Sequence, residues 1–295
     1  MAKDTFEIEI GGKPLKIKTT DWTEQASGSC LVSYGETEVL ATAVMSKENL
    51  DGKDFFPLTV EYEERFYAAG KIFGSRFMKR ESRPADGAIL TSRMIDRAIR
   101  PLFSKDFKRE VQVIVTCLSW DEENDPDILG MIAASFALSI SNIPWQGPLG
   151  AIRIGRINDK LVFNPNYRQR EESDMDLTLS AIENPFAVSG QEEVLINMIE
   201  MGAKEVLEDD VMEAAETAEK ELKKLIDFQK KSVEKIKKEK ISAETIIELD
   251  IENDIKKFLG DRLEKTISNA ESKEKNLSAV DELKQETVKF VEEKY

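Results

Sequence analysis

The chain has 295 residues and a formal net charge of −15, from 57 acidic and 42 basic side chains. It contains no histidine, which excludes histidine-based catalytic triads and histidine metal sites. Its two cysteines, Cys30 and Cys117, are too few for a disulfide framework or a structural zinc site and indicate a reducing cytoplasm. No apolar run approaches the roughly 18 residues of a membrane span, and the amino-terminal residues lack the apolar stretch of a secretory signal. We therefore expect a cytoplasmic location and no membrane contact.

The first 200 residues alternate apolar and polar side chains in short runs, which is typical of half-buried β-strands. Three hairpins are predicted around short turns at Gly11-Gly12, residues 35–37 and Asn158-Asp159. Further strands are expected over 57–64, 110–120, 175–181 and 193–201. This part of the chain should therefore form a sheet-rich core.

Two helices interrupt these strands. Asp86 is expected to cap a helix that runs to about Phe103. Asp125 and Pro126 have the pattern of an N-cap with proline at the first helical position, and the helix that follows to Ile140 is apolar almost all round, as in the centre of a core. Both helices should pack on the sheet.

From about residue 206 the pattern becomes helical and strongly charged. We expect an α/β fold with a mixed-sheet core over 1–205, a long connecting helix over 206–240 and an all-helical domain over 241–295. The helical pattern continues to Tyr295 without a capping signal, which suggests a sequence cut short before further structure.

The segment from Arg65 to Arg109 is basic within this acidic chain, with twelve Lys and Arg against four Asp and Glu. Such an island indicates a site for a polyanion. Gly70 and Gly74 predict a flexible loop that presents cations beside an aromatic ring, a combination suited to single-stranded nucleic acid. The alternative is a solvated loop with its aromatic ring in the core. The candidate residues of the loop are Phe77, Met78, Lys79, Arg80 and Arg83.

Arg93, Arg97 and Arg100 follow the loop at helical spacing and share one face of the first predicted helix. We expect no acidic partner for them within that helix, so an anionic ligand should lie against the face. The alternative is a set of salt bridges to the acidic remainder of the chain.

Two acidic groups are weaker candidates. The run of Asp121, Glu122, Glu123, Asp125 and Asp127 is expected to be solvated and to cap the second helix, with a metal site as the less favoured alternative. Asp174 and Asp176 should point to one face of a strand, an arrangement that could suit Mg²⁺. The sequence has no GxxxxGK[ST] phosphate loop and no GxGxxG fingerprint. Cys30 and Cys117 are expected to pack in the core.

Three long strings, over 54–84, 90–103 and 110–155, resemble polynucleotide phosphorylase, the polyribonucleotide nucleotidyltransferase family. They include RFMKRESRP, LTSRMIDRAIRPLF and the stretch around DEENDPDILG. The resemblance is to the first RNase PH-like core of that family, dense over about 25–163 and looser to about 240. It implies an RNase PH-like mixed sheet with packed helices in a ribosomal-protein-like βαβ arrangement, followed by an all-α domain.

The resemblance also implies an activity. Members of the family degrade RNA from the 3′ end in mRNA turnover, using inorganic phosphate as co-substrate to release nucleoside diphosphates, with Mg²⁺ as cofactor. They form homotrimers that thread single-stranded RNA, not DNA, through a channel. Phe77-Met78-Lys79-Arg80 matches the aromatic-basic loop that grips RNA there, with Met78 and Lys79 replacing the usual Phe and Arg. Arg83, Arg93, Arg97 and Arg100 occupy the basic positions that follow.

In this family the catalytic residues lie in a second core, so the resemblance implies no catalytic residue and no metal ligand in this chain. A serine-rich phosphate turn of the second core is replaced here by residues 123–127. Asp176 matches one metal-binding aspartate, but Arg170 and Thr178 replace its partners. Two functions remain: the RNA-binding first core of a nucleotidyltransferase, or a catalytically inert RNA-binding or assembly subunit.

Overall fold

The computed structural model describes residues 2–49, 55–72, 83–104, 107–187, 193–241, 249–268 and 273–294. The chain divides into two compact units, Met1–Ala243 and Glu244–Tyr295.

Within its described residues, the first unit combines ten strands with four α-helices. The strands are β1 Ala2–Ile10, β2 Lys13–Thr20, β3 Gly28–Tyr34, β4 Thr37–Asn49, β5 Leu58–Glu64, β6 Arg109–Ser119, β7 Leu149–Ile157, β8 Lys160–Phe163, β9 Met175–Glu183 and β10 Val194–Ala203. The helices are α1 Asp86–Ile99, α2 Pro126–Ile140, α3 Tyr167–Glu172 and α4 Glu208–Val233.

The strands form two sheets, one of six strands in the order β1-β2-β3-β4-β6-β5 and one of four in the order β10-β9-β7-β8. The three predicted hairpins are confirmed, since β1–β2, β3–β4 and β7–β8 each pair antiparallel. Asn158 and Asp159 both have positive φ, as a two-residue hairpin turn requires. Of the strand pairs in the described residues, only β5–β6 is parallel, and α1 lies between these two strands in the chain. The mixed α/β fold with a βαβ unit is therefore confirmed.

Helix α2 lies at the centre of the first unit, where all of its residues are buried. It packs against β3 and β4 of the first sheet and β7 of the second. Its Asp125 N-cap is confirmed, because the Asp125 side chain accepts a hydrogen bond from the backbone N–H of Asp127. Cys30 is buried against this helix, with its Sγ 3.3 Å from the Ala133 carbonyl oxygen.

Helix α1 begins and ends differently from the expectation. Its N-cap is Ala85, which makes no side-chain cap, so the predicted Asp86 cap is wrong. Asp86 lies in the first turn instead, where a carboxylate favours the helix dipole. The α-helix ends at Ile99 and a 3-10 turn over Arg100–Leu102 follows, because Pro101 cannot donate to an α-helical hydrogen bond.

Helix α4 is part of the first compact unit, although the sequence suggested a connector over 206–240. Leu222, Leu225 and Ile226 are buried on one stripe, and the helix packs against β7 and β9. Gln229 on the same stripe donates to the Leu149 carbonyl and accepts from the Ser135 hydroxyl, which joins α4 to β7 and α2.

The second unit contains three helices in its described ranges: α5 Leu249–Leu259, α6 Arg262–Ser268 and α7 Lys273–Lys294. The rings of Phe258 and Phe290 stack with centroids 4.4 Å apart, which joins α5 to α7. No helix within the described parts of the chain is long and apolar enough to cross a membrane.

Candidate nucleic-acid interface

The predicted RNA-binding loop is described only at its two ends. Phe77, Met78, Lys79 and Arg80 lie outside the described residues, so their roles stay predictions. Arg83, just before α1, is exposed. The loop thus connects the carboxyl end of β5 with the amino end of α1.

The three arginines of α1 have different surroundings. Arg100 pairs with Asp96 four residues earlier, at 2.6 Å, and donates to the Leu58 carbonyl. Arg97 pairs with Glu200 of β10. The expectation that the helix offers no acidic partner is therefore wrong for Arg100, because Asp96 lies one turn away from it.

Arg93 differs from the other two. It is exposed, as Arg97 also is, but no carboxylate in the part of the chain that the structure describes pairs with it. Of the three helical arginines, Arg93 is therefore the one whose guanidinium is most available to an external phosphate, and it follows Arg83 along the same chain segment.

A compact group of charges lies where the second helix begins, and we call Asp125, Asp127, Arg153, Arg170 and Asp176 the arginine–carboxylate network. Arg153 contacts Asp125 at 2.5 Å, Asp127 at 2.8 Å and Asp176 at 3.0 Å. Arg170 bridges Asp125 and Asp176. Three carboxylates thus share two guanidinium groups.

Asp127 and Arg153 are the buried members of the network, and their surroundings shift the pKa of each. Burial and the neighbouring Asp125 carboxylate raise the pKa of Asp127 well above its ordinary value, although Arg153 acts in the opposite direction. Burial would lower the pKa of Arg153, but the carboxylates around it raise it overall. Arg153 therefore stays charged, and Asp127 holds its proton more readily than a solvated aspartate does.

The network was not predicted, since the acidic run 121–127 was expected to be solvated. Glu122 and Glu123 are exposed, but Asp127 is buried. Asp121 is only partly exposed and accepts from the backbone N–H groups of Glu123 and Asn124. Despite partial burial, these hydrogen bonds lower the pKa of Asp121 to about 2. No sequence signal pointed to Arg153, which lies in a strand pattern 26 residues after Asp127.

Asp174 and Asp176 do not form the paired site that could have suited Mg²⁺. Asp174 is held by Arg156 at 2.7 Å, while Asp176 is held by Arg153 and Arg170. A metal ion would have to displace these guanidinium groups. Within the described residues, no cluster of three or more carboxylate or thiol ligands has metal-binding geometry.

The positions that the resemblance assigned to phosphate and metal are thus close together and filled by the protein's own side chains. Asp125 and Asp127, from the stretch that replaces the phosphate turn, contact the same guanidinium as Asp176. Thr178 lies 3.3 Å from Nε of Arg153. The residues present do not fit a metal–phosphate site.

Two family models match most of the first unit. Domain 1 of the 3′ exoribonuclease family matches residues 11–144, and domain 2 matches residues 147–221. Together they cover every strand of the two sheets except β1, and the first half of α4.

Curated relatives extend the match. A polyribonucleotide nucleotidyltransferase of Heliobacterium modesticaldum is 45% identical over 278 residues, 93% of this chain and 38% of the relative. Enzymes of the same name from Exiguobacterium sibiricum and Thermus thermophilus are each 48% identical, over 81% and 80% of this chain. The chain spans less than half the length of these relatives.

Solved structures agree with the fold. Rice Rrp46 covers 75% of this chain and 95% of its own, with a TM-score of 0.58 at 14% identity. A chain of the Archaeoglobus fulgidus exosome with RNA bound to the active site covers 72% of this chain and 86% of its own, with a TM-score of 0.54 at 17% identity. At these identities the likeness concerns the fold.

Proposed function

Because the chain belongs to the 3′ exoribonuclease family, we propose that it supplies the RNA-binding, non-catalytic first core of a polyribonucleotide nucleotidyltransferase. The complete enzyme would shorten RNA from its 3′ end in mRNA turnover, with phosphate as co-substrate and nucleoside diphosphates as products. Relatives of that name, at 42–48% identity, support this activity.

One observation supports the assignment of RNA binding, rather than catalysis, to this core. The arginine–carboxylate network occupies the region in which a catalytic core of this kind would need free carboxylates for a metal and donors for phosphate. An incoming phosphate finds no free donor in this group, because both guanidinium groups are already paired with carboxylates. We therefore assign the catalytic residues and the Mg²⁺ ligands to another part of the enzyme.

RNA binding is assigned to the basic segment from Arg65 to Arg109. Phe77 would stack on a base, and Lys79, Arg80 and Arg83 would contact phosphates of a single strand, with Met78 beside them. Arg93 extends this surface along α1, since it is exposed and unpaired within the described residues. Arg97 and Arg100 would attract the phosphates of the strand more weakly, because carboxylates already pair with them.

The assembly and location follow the family. We propose a homotrimer in the cytoplasm, with single-stranded RNA rather than DNA as its ligand. Three copies would bring three loops to one channel, and linked sites bind one strand far more tightly than a single site.

Titration of a short labelled RNA at several salt concentrations tests the RNA-binding role. If the loop neutralises about three phosphates, the logarithm of the affinity falls against the logarithm of salt with a slope near −2, since each contact contributes roughly −0.7 for single strands. Phe77→Ala should cost about 1–3 kcal/mol, the usual value of one base–aromatic stack. The triple alanine variant of Lys79, Arg80 and Arg83 should lose most of the salt dependence.

The matched control removes three exposed cations elsewhere, with alanine in place of Lys160, Lys220 and Lys231. It should bind RNA as the parent does. If the control weakens binding as much as the triple variant, or if binding ignores salt, RNA does not bind at this loop and the proposal is wrong.

A further inference from the structure

The carboxyl end of α1 is fixed by side chains from two other parts of the first unit. The last carbonyl groups of a helix have no partner within the helix, so they need donors from elsewhere. The amide of Asn197 on β10 donates to the Ala98 carbonyl at 2.8 Å. The indole N–H of Trp145, which lies between α2 and β7, donates to the Ile99 carbonyl at 3.1 Å. This end of α1 is therefore tied to the second sheet and to the segment that leads into it.

Arg100 ties the same end of α1 to the first sheet. Its guanidinium donates to the Leu58 carbonyl at 3.0 Å, where β5 begins, and to the Phe56 carbonyl at 3.4 Å, two residues earlier. It also forms a bidentate pair with Asp96, with 3.0 Å from Nε to Oδ2 and 2.6 Å from Nη2 to Oδ1. These hydrogen bonds engage four of the five N–H donors of the guanidinium. An RNA phosphate would have to displace some of them to gain a bidentate contact.

The amino end of α1 is more open. Its N-cap, Ala85, makes no side-chain hydrogen bond, and a Cβ placed on Gly87 in the first turn would meet open space. Arg83, at the end of the proposed RNA-binding loop, is exposed just before this turn. The position of the amino end therefore depends strongly on how the helix is held elsewhere.

Arg100 lies at the opposite end of the helix from the loop. A helix rises by 1.5 Å per residue, so Asp86 and Arg100 are roughly 21 Å apart along the axis. Helix α1 starts after the carboxyl end of β5 and ends beside its amino end, so it runs back along that strand. A change of angle at Arg100 therefore displaces Arg93 and, by more, Arg83. Binding groups need to be held within about 0.5 Å of their productive positions.

We propose that Arg100 is a positioning residue, which acts through Asp96 and the β5 carbonyls to set the angle of α1 and thereby the place of the basic residues near its amino end. The resemblance assigned Arg100 to direct contact with RNA, whereas its hydrogen bonds indicate an action through the helix. The consequence for RNA rests on the proposed function. The anchoring of α1 does not.

Hydrogen exchange followed by mass spectrometry tests the anchor without RNA. Arg100→Lys keeps the positive charge but cannot reproduce the bidentate pair together with the two carbonyl bonds. Asp96→Ala removes the orienting carboxylate and favours the helix itself. In both variants the amides of α1 should exchange about tenfold faster, because hydrogen bonds to a charged group are lost, and those of α2 should not change. Unchanged exchange of α1 in both variants would overturn the proposal.

Titration with a short labelled RNA distinguishes positioning from contact by the sign of one effect. Asp96→Ala removes a negative charge and frees the Arg100 guanidinium, so a contact role predicts tighter RNA binding. A positioning role predicts RNA binding weaker by about fivefold or more, because a base stack or a phosphate contact is misplaced. Arg100→Lys should show a similar loss, although its charge is retained. Circular dichroism confirms that both variants are folded at the temperature of the titration.

The matched controls break an exposed pair of the same kind in the second unit, where Arg262 of α6 pairs with Glu286 of α7. Arg262→Lys and Glu286→Ala repeat the substitution types and the charge changes of the two test variants. Both controls should bind RNA as the parent does, with the same exchange of the α1 amides. Changes of equal size in the controls would assign the effects to net charge and overturn the proposal.

The combined results separate this proposal from the proposed function. Faster exchange of α1 with weaker RNA binding supports the positioning role. Faster exchange with unchanged RNA affinity means that Arg100 supports only the fold, and tighter RNA binding in Asp96→Ala means a direct contact. Either result overturns the positioning role and leaves the proposed function standing. A parent chain that binds no RNA refutes the proposed function; faster exchange of α1 in the variants then still supports the anchor, and unchanged exchange overturns it.

Discussion

At the scale of single residues, the charge balance of the arginine–carboxylate network decides how each of its members can be replaced. Arg153 serves three carboxylates and is only 10% exposed in its side chain, whereas Arg170 serves two and is 26% exposed. Removing one partner of a buried ion pair leaves an uncompensated buried charge. The resulting loss of stability is larger than the net stabilisation that the intact pair provides. The two arginines should therefore differ strongly.

Arg153→Met should lower the free energy of unfolding by about 3–5 kcal/mol at neutral pH, because three carboxylates then share one guanidinium. Arg170→Met should lower it by only about 1–2 kcal/mol, since water reaches its side chain and Arg153 still contacts all three carboxylates. Urea unfolding followed by circular dichroism measures both. Equal losses in the two variants would show that the contacts of Arg153 are not the ones that hold the network.

Asp127 gives the network a pH dependence of definite sign. Its folded-state pKa lies above its unfolded value, so the folded chain binds the extra proton and this residue's contribution to stability declines as pH rises from about 4 toward the raised pKa. Asp127→Asn removes that decline and leaves two carboxylates for two arginines. The difference in unfolding free energy between variant and parent should therefore shift in the variant's favour between pH 5 and pH 8. A difference that stays constant or moves the other way contradicts the raised pKa.

At the scale of elements, the contact between β3 and α2 depends on a missing side chain. A Cβ on Gly28 would lie 2.2 Å from the Ala137 carbonyl oxygen, closer than any real contact and against backbone that cannot turn aside. The small residues Ala133 and Ala137 on the facing side of α2 allow the same close approach. The centre of the first unit is therefore a backbone-to-backbone contact.

Gly28→Ala should lower the free energy of unfolding by about 3 kcal/mol, because the strand must move away from the helix. Gly87→Ala is the matched control, since its Cβ meets open space in the first turn of α1 and alanine is the better helix former. It should raise stability by about 0.5–1 kcal/mol. Thermal unfolding of the two variants beside the parent gives the comparison, and a neutral Gly28→Ala would show that β3 and α2 are not so close.

The sequence predicted elements where the local pattern alone determines them. Alternation and turn residues located the three hairpins, and the Asp125-Pro126 pair located the start of α2, because each signal lies within a few residues. Helix α3 was missed, although Asn166 and Gln169 form a capping box that is visible in the sequence. The pairing of Arg97 with Glu200 joins residues 103 positions apart, which no local pattern can indicate.

At the scale of the whole molecule, the sequence predicted only part of the candidate site, because local patterns do not show which distant residues pair. A basic island is visible as composition, so Arg83 and Arg93 were identified and are exposed. Asp176 is paired with Arg153 from a different strand and with Arg170 from α3, so its carboxylate is not free to bind a metal. Composition could not show that Asp125 and Asp127 of the acidic run face these arginines rather than water, because the sheet topology brings them together.

The isolated 295-residue chain should release no nucleoside diphosphate from RNA in the presence of phosphate and Mg²⁺. Asp176 is bound by two guanidinium groups, and Asp125 and Asp127 lie where an incoming phosphate would need donors, so neither co-substrate nor metal finds a favourable position. Thin-layer separation of the products of a labelled RNA measures release directly. Calorimetric titration with Mg²⁺ alone gives an independent readout, and it should show no binding that Asp176→Ala abolishes. Sustained phosphorolysis by the purified chain, lost in Asp176→Ala and retained in the exposed control Asp209→Ala, would instead locate catalysis in this core and refute its assignment as the RNA-binding part.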